Sequence, residues 1–164
     1  MADNTGIEWC DATWNPIRGC SRVSEGCRHC YAEGVAARFS GAGQAYEGLA
    51  SIVTRPDDSK EPRWTGELRL VEQHLLDPLS WKRPRRIFVN SMSDLFHEKV
   101  PDEWIDRVFA VMALAPQHRF QILTKRPERM RDYCTSLKDR AVDIAQRVVW
   151  MGIWDDPDIA ASDT

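Results

Sequence analysis

Cys20, Cys27 and Cys30 crowd into the run GCSRVSEGCRHC, with six residues between the first pair and two between the second. Thiolates are the natural ligands of zinc and of iron–sulfur clusters. The close pair can hold one metal centre while the longer arc brings a third sulfur around it. Four ligands normally complete such a centre, so three imply a fourth from elsewhere in the protein or an iron left open to an exogenous ligand. Cys10 and His29 are the nearby protein candidates. His29 adjoins Cys30 and has difficulty turning inward with it, so the exogenous ligand is the favoured completion. An iron–sulfur centre is the first reading of the loop, and zinc the alternative.

Other residues are candidates for binding rather than for metal ligation. Asn90, Ser91 and Asp94 follow a strong strand pattern and are able to hydrogen-bond a cofactor or substrate, or to satisfy their own turn as Asx and Ser side chains often do. Asn15 and Lys125 also follow strand patterns, and Lys125 suits a carboxylate or phosphate. His97 is a candidate acid, base or ligand. Cys134 shares an apolar helical stripe with Met130 and Leu137, and Cys10 follows Trp9, so both read as small core residues. The basic run from Lys82 to Arg86 reads as a solvated turn. The run from Lys125 to Arg131 keeps nucleic acid open as a partner.

The elements that must position these residues follow from periodicity. Ala12 to Ile17 is a short strand, Arg18 to Cys30 a turn-rich loop, and Tyr31 to Phe39 a helix stopped by Gly41 and Gly43. Residues 44–65 lack sustained periodicity and form an exposed insertion. A strand is expected over Glu67 to Val71, and a helix over Glu72 to Trp81 that Pro78 should distort. The run RIFVNSM, Arg86 to Met92, is the clearest strand. The clearest helix opens at Pro101, with a stripe of Trp104, Ile105, Val108, Phe109 and Met112. A strand over Arg119 to Thr124, a helix from Pro127 and a strand over Arg147 to Trp154 complete the pattern.

Strands alternating with helices predict one α/β domain over residues 1–164, its parallel sheet of about five strands curled into a partial (β/α) TIM-like barrel. Ligands of such sheets collect at the carboxyl ends of the strands. That edge would gather Asn15, Asn90 to Asp94 and Lys125 beside the cysteine loop. With 22 basic and 25 acidic residues, net charge −3, the chain names no partner by charge alone. No apolar run reaches the ~18–20 residues of a membrane span. The N-terminus MADNTGIEWCDATW is no secretory signal, and five cysteines are an odd number for a disulfide framework. A cytoplasmic location is expected.

The runs TWNPIRGCSRVSEGCRHCYA, RRIFVNSMSDLFHEKVPDEW and FQILTKRPERM resemble an uncharacterised bacteriophage and prophage family with a three-cysteine, radical-SAM-like motif, over most of residues 7 to 150. The resemblance implies that Cys20, Cys27 and Cys30 hold a [4Fe–4S] cluster whose fourth iron binds S-adenosylmethionine. It also implies reductive cleavage of that cofactor, by an electron donor the sequence does not identify, to abstract hydrogen from an unknown substrate. The host cytoplasm would be the location of a phage-encoded copy. The superfamily's commonest first spacing is three residues rather than six, so the loop should bulge. Family members usually continue beyond IWDDPDIAASDT, which implies a C-terminally shortened, incomplete barrel. The competing readings are a zinc-stabilised phage binding module, in contact with nucleic acid or not, and an inactive phage remnant.

Overall fold

The computed structural model describes residues 5–150. Its first strand, β1 (Ala12–Trp14), lies parallel to β6 (Arg86–Val89), which in turn lies parallel to β7 (Arg119–Ile122). The order β1-β6-β7 makes β6 the central strand of a three-stranded sheet. Two antiparallel ribbons flank this sheet in the chain: β2 (Ile17–Arg18) with β5 (Arg69–Leu70), and β3 (Ala50–Thr54) with β4 (Lys60–Trp64).

This topology corrects the expected barrel. The protein is a small α/β fold with short sheets and no barrel closure. Two strands that were to extend the curl do not join it. The segment around Arg69 pairs antiparallel with β2 instead of entering the parallel sheet. The run expected as a strand over Arg147 to Trp154 is helical as far as Trp150, at the end of α4 (Ala141–Trp150), and its remainder lies outside the described residues. A sheet with three strands has two free edges and is too narrow to bend round a lumen.

The helices follow the apolar stripes. Helix α1 (Tyr31–Arg38) and helix α2 (Asp102–Leu114) form where the sequence predicts them. Pro127 opens α3 (Pro127–Thr135) at a position where its missing N–H costs nothing. Between Glu72 and Ser80 the expected helix is replaced by two short 3₁₀ turns, Glu72–His74 and Asp77–Ser80, because Pro78 removes a donor in mid-run. The 44–65 insertion is mostly exposed but carries the β3–β4 hairpin.

Ile105, Val108 and Val111 of α2 bury completely against Ile87 and Val89 of β6, Trp14 of β1, and Leu95, Phe96 and Val100 of the following loop. Each such side chain contributes roughly 1.5–3 kcal/mol of transfer free energy. A second, smaller cluster joins Ala32 and Ala36 of α1 to Ala50 and Met92, with Trp64 packed alongside. The small alanines let α1 lie close to the hairpin. Cys30, at the end of the cysteine loop, packs against this second cluster. Among the described residues, no helix is long and apolar enough to cross a membrane.

Candidate functional site

The loop from Gly19 to Cys30 begins at the carboxyl edge of the parallel sheet. Gly19 bridges Ser93, just past β6, in parallel fashion, and Ser93 Oγ donates to the Ile17 carbonyl at 2.9 Å. Gly19 has φ +94°, and a Cβ there would stand 2.1 Å from the Glu67 carbonyl oxygen, so only glycine fits this crossing. The first cysteine follows immediately.

Two buried charge networks hold the loop. Arg126 is 6 % exposed, and its guanidinium reaches Asp94 at 3.1 Å, Glu98 at 2.8 Å, and both the carbonyl and the hydroxyl of Ser21 at 3.2 Å. Arg22, the next residue, donates to both carboxylate oxygens of Glu33, a fully buried side chain on α1. Glu33 also accepts the Trp64 N–H, which ties loop, helix and hairpin together.

His97 completes the first network. Its Nδ1 accepts the Lys99 N–H at 3.1 Å, so the ring proton sits on Nε2 and is given to Ser21 Oγ at 2.7 Å. Burial, reinforced by the charge of Arg126, lowers the His97 pKa and keeps the ring neutral. A neutral histidine that donates to a serine cannot also take its proton. The Ser21–His97 pair therefore fixes the loop and does not activate a nucleophile.

All three loop thiols are free. Cys20 is half-buried, and desolvation pushes its thiol up to about 11 in spite of the nearby Arg126 charge. Cys27 closes a 3₁₀ turn, Glu25–Cys27, with its N–H donated to the Ser24 carbonyl at 2.9 Å. Burial acts to raise its thiol as well. Hydrogen bonds from the backbone of Val23 and Ser24 and from the Ser24 hydroxyl, with the charge of Lys125, outweigh that and lower it. Cys30 is the residue immediately before α1, and its side chain makes no capping hydrogen bond. The Lys125 ammonium is 3.4 Å from the point a Cβ on Gly26 would occupy, so it overhangs the turn that carries Cys27.

The remaining sequence candidates lie along the same edge, and most are committed to the protein's own backbone. Asn15 Oδ1 accepts the Ser91 hydroxyl at 3.1 Å and the Met92 N–H at 3.0 Å. The Ser91 carbonyl accepts from Tyr31. Asp94 receives the Phe96 and Lys125 N–H groups and the Thr124 hydroxyl besides Arg126. Asn90 ends β6 with φ +57° and takes the Ile17 N–H on Oδ1, while its buried Nδ2 has no hydrogen-bond partner. Asn90 Nδ2 is thus a buried donor of this set left unpartnered, and the Lys125 ammonium lies beside the loop.

Sequence reasoning missed Arg126, Arg22 and Glu33. Arg126 belongs to a basic run that reads as a phosphate-binding surface, yet Arg129 donates to the His97 and Val100 carbonyls and to Asp102, and Arg131 pairs with Asp132. Three of the run's guanidinium groups are thereby engaged within the protein.

Among the described residues, no three His, Cys, Asp or Glu side chains are gathered closely enough to hold a metal ion. The donor set itself suits a thiolate-ligated cluster. Its sulfurs are unbridged, and Arg22, Lys125 and Arg126 supply positive charge to offset the thiolates.

Residues 4–159 match the model of a protein family described as "Protein of unknown function (DUF5131)". No curated protein and no solved structure matches the chain.

Proposed function

The chain belongs to that family, whose description names no activity, and we propose from its residues that it is an iron–sulfur protein of the radical S-adenosylmethionine type. The observation that supports this reading most is the placing of three free thiols on one loop at the carboxyl edge of the parallel sheet, with Arg22, Lys125 and Arg126 around them. Cys20, Cys27 and Cys30 would hold a [4Fe–4S] cluster through three of its irons. Such a cluster would supply the single electron for reductive cleavage of S-adenosylmethionine to methionine and a 5′-deoxyadenosyl radical.

The chain's own residues bind and position. Lys125, free above the Cys27 turn, is suited to the methionine carboxylate, and the unpartnered Asn90 Nδ2 is a second donor at the same edge. Asp94 and Arg126 keep the base of the loop in place. The sequence runs around the cysteines further support a phage or prophage origin, and free thiols suit a reducing compartment such as a host cytoplasm.

Anaerobic reconstitution with iron and sulfide tests the reading. We expect a brown protein containing both elements, with the cluster lost in Cys20→Ala, Cys27→Ala and Cys30→Ala but retained in Cys134→Ala. Titration with S-adenosylmethionine should then show weaker binding in Lys125→Ala than in Lys82→Ala. A colourless protein with stoichiometric zinc would overturn the proposal in favour of a zinc-stabilised module.

A further inference from the structure

A second site lies beside the β2–β5 ribbon, outside the cysteine loop. It is an open cleft of about 600 Å³ whose lining includes Arg18, Arg69, Glu72, Gln73 and His74. That volume is in the range of small-molecule sites.

Arg18 and Arg69 stand directly opposite one another in the antiparallel register. Opposed residues share one face with Cβ atoms ~5 Å apart, and like charges so placed repel. The protein does little to relieve this. Arg18 donates to the Ala45 carbonyl at 3.3 Å and stacks over the Tyr46 ring, while Arg69 donates to the Glu47 carbonyl at 2.7 Å. Neither meets a carboxylate among the described residues. Arg18 Nε is buried without a hydrogen-bond partner. The carboxylate in the lining, Glu72, is engaged through both oxygens by Arg107, and the His74 ring is paired with Asp77.

We propose that this cleft binds the phosphoryl group of a small phosphorylated ligand, seated between Arg18 and Arg69. Guanidinium forks match phosphate oxygens in pairs, and each arginine has donors in excess of the single hydrogen bond it gives the protein. A phosphate dianion offsets both charges, whereas a carboxylate offsets one. Nucleic acid would require a basic track leading away from the pair, and the adjoining lining is Leu70, Val71, Glu72 and Gln73.

The test uses the full chain as purified, in magnesium-free buffer, with inorganic pyrophosphate as the probe in calorimetric titration and thermal melting. Saturable binding and a raised melting temperature are expected, with about tenfold weaker binding in Arg69→Gln and in Gln73→Glu, which places a negative charge in the cleft without touching either arginine. Lys82→Gln should bind as the parent does, and circular dichroism confirms that each variant is folded. No saturable binding, or equal binding by all variants, overturns the proposal. So does oligothymidylate binding that depends on Arg69 when pyrophosphate does not bind. Because no metal is needed, the result is independent of the cluster reading.

Discussion

Arg126 and Asp94 form an ion pair at 3.1 Å with side chains only 5 % and 7 % exposed, and the same guanidinium holds Ser21 next to the first loop cysteine. A buried pair of this kind contributes less to stability than to position, because desolvation offsets most of the attraction. Removing one partner leaves the other charge uncompensated. Asp94→Asn should therefore cost roughly 3–5 kcal/mol, read from the midpoint of urea unfolding. Loss below about 1 kcal/mol would mean that Glu98 alone satisfies Arg126.

Gly19→Ala tests the crossing beneath the loop. The substitution forces a Cβ into the Glu67 carbonyl and strains a left-handed backbone, at a cost on the order of 3 kcal/mol. Iron retention after reconstitution should fall with it, since Cys20 is the next residue. A variant as stable as the parent would show that the β2–β5 ribbon slides freely over this point.

The two thiols of opposite character should separate by pH. Cys20 is raised to about 11, so its alkylation by iodoacetamide, followed by peptide mass spectrometry, should climb throughout the range from pH 7 to 10. Cys27 is lowered, and its rate should level off below the ordinary thiol value of 9.0. Parallel profiles would show that the Lys125 charge and the turn hydrogen bonds do not act on Cys27.

Acid stability reports on the β1 edge. Asp11 accepts the side chain and N–H of Arg86, and those hydrogen bonds hold its pKa at about 2, below the ordinary 3.8. A carboxylate whose folded pKa is depressed adds stability above its unfolded value and loses it as pH falls through the folded one. The stability difference between the parent and Asp11→Asn should be constant above about pH 5, fall as the pH drops through 2, and vanish near pH 1. A difference that persists below about pH 1 would assign it to packing instead of charge.

The sequence made long-period features legible and left tertiary ones hidden. Helices α1 and α2 declare themselves because their apolar residues recur at helical spacing, and β6 because RIFV is β-branched and aromatic. Strand β4, KEPRW, carries three charges and Pro62, so nothing local marks it. Its register with β3 and its packing on α1 make it a strand. After Arg147 the run VVWMGIW carries no charged residue, and such a run is consistent with strand or buried helix alike. For Arg126 and Glu33 the signal is absent, because burial of a charge depends on partners far away in the chain.

Ser21 and Arg126, the two ends of the contact that seats the cysteine loop, are 105 positions apart. A chain made from its N-terminus thus exposes all three thiols well before the arginine that seats their loop exists. Contacts of such long separation also form late in folding, after local helices and turns. The loop spends the early life of the molecule unanchored and its sulfurs reachable.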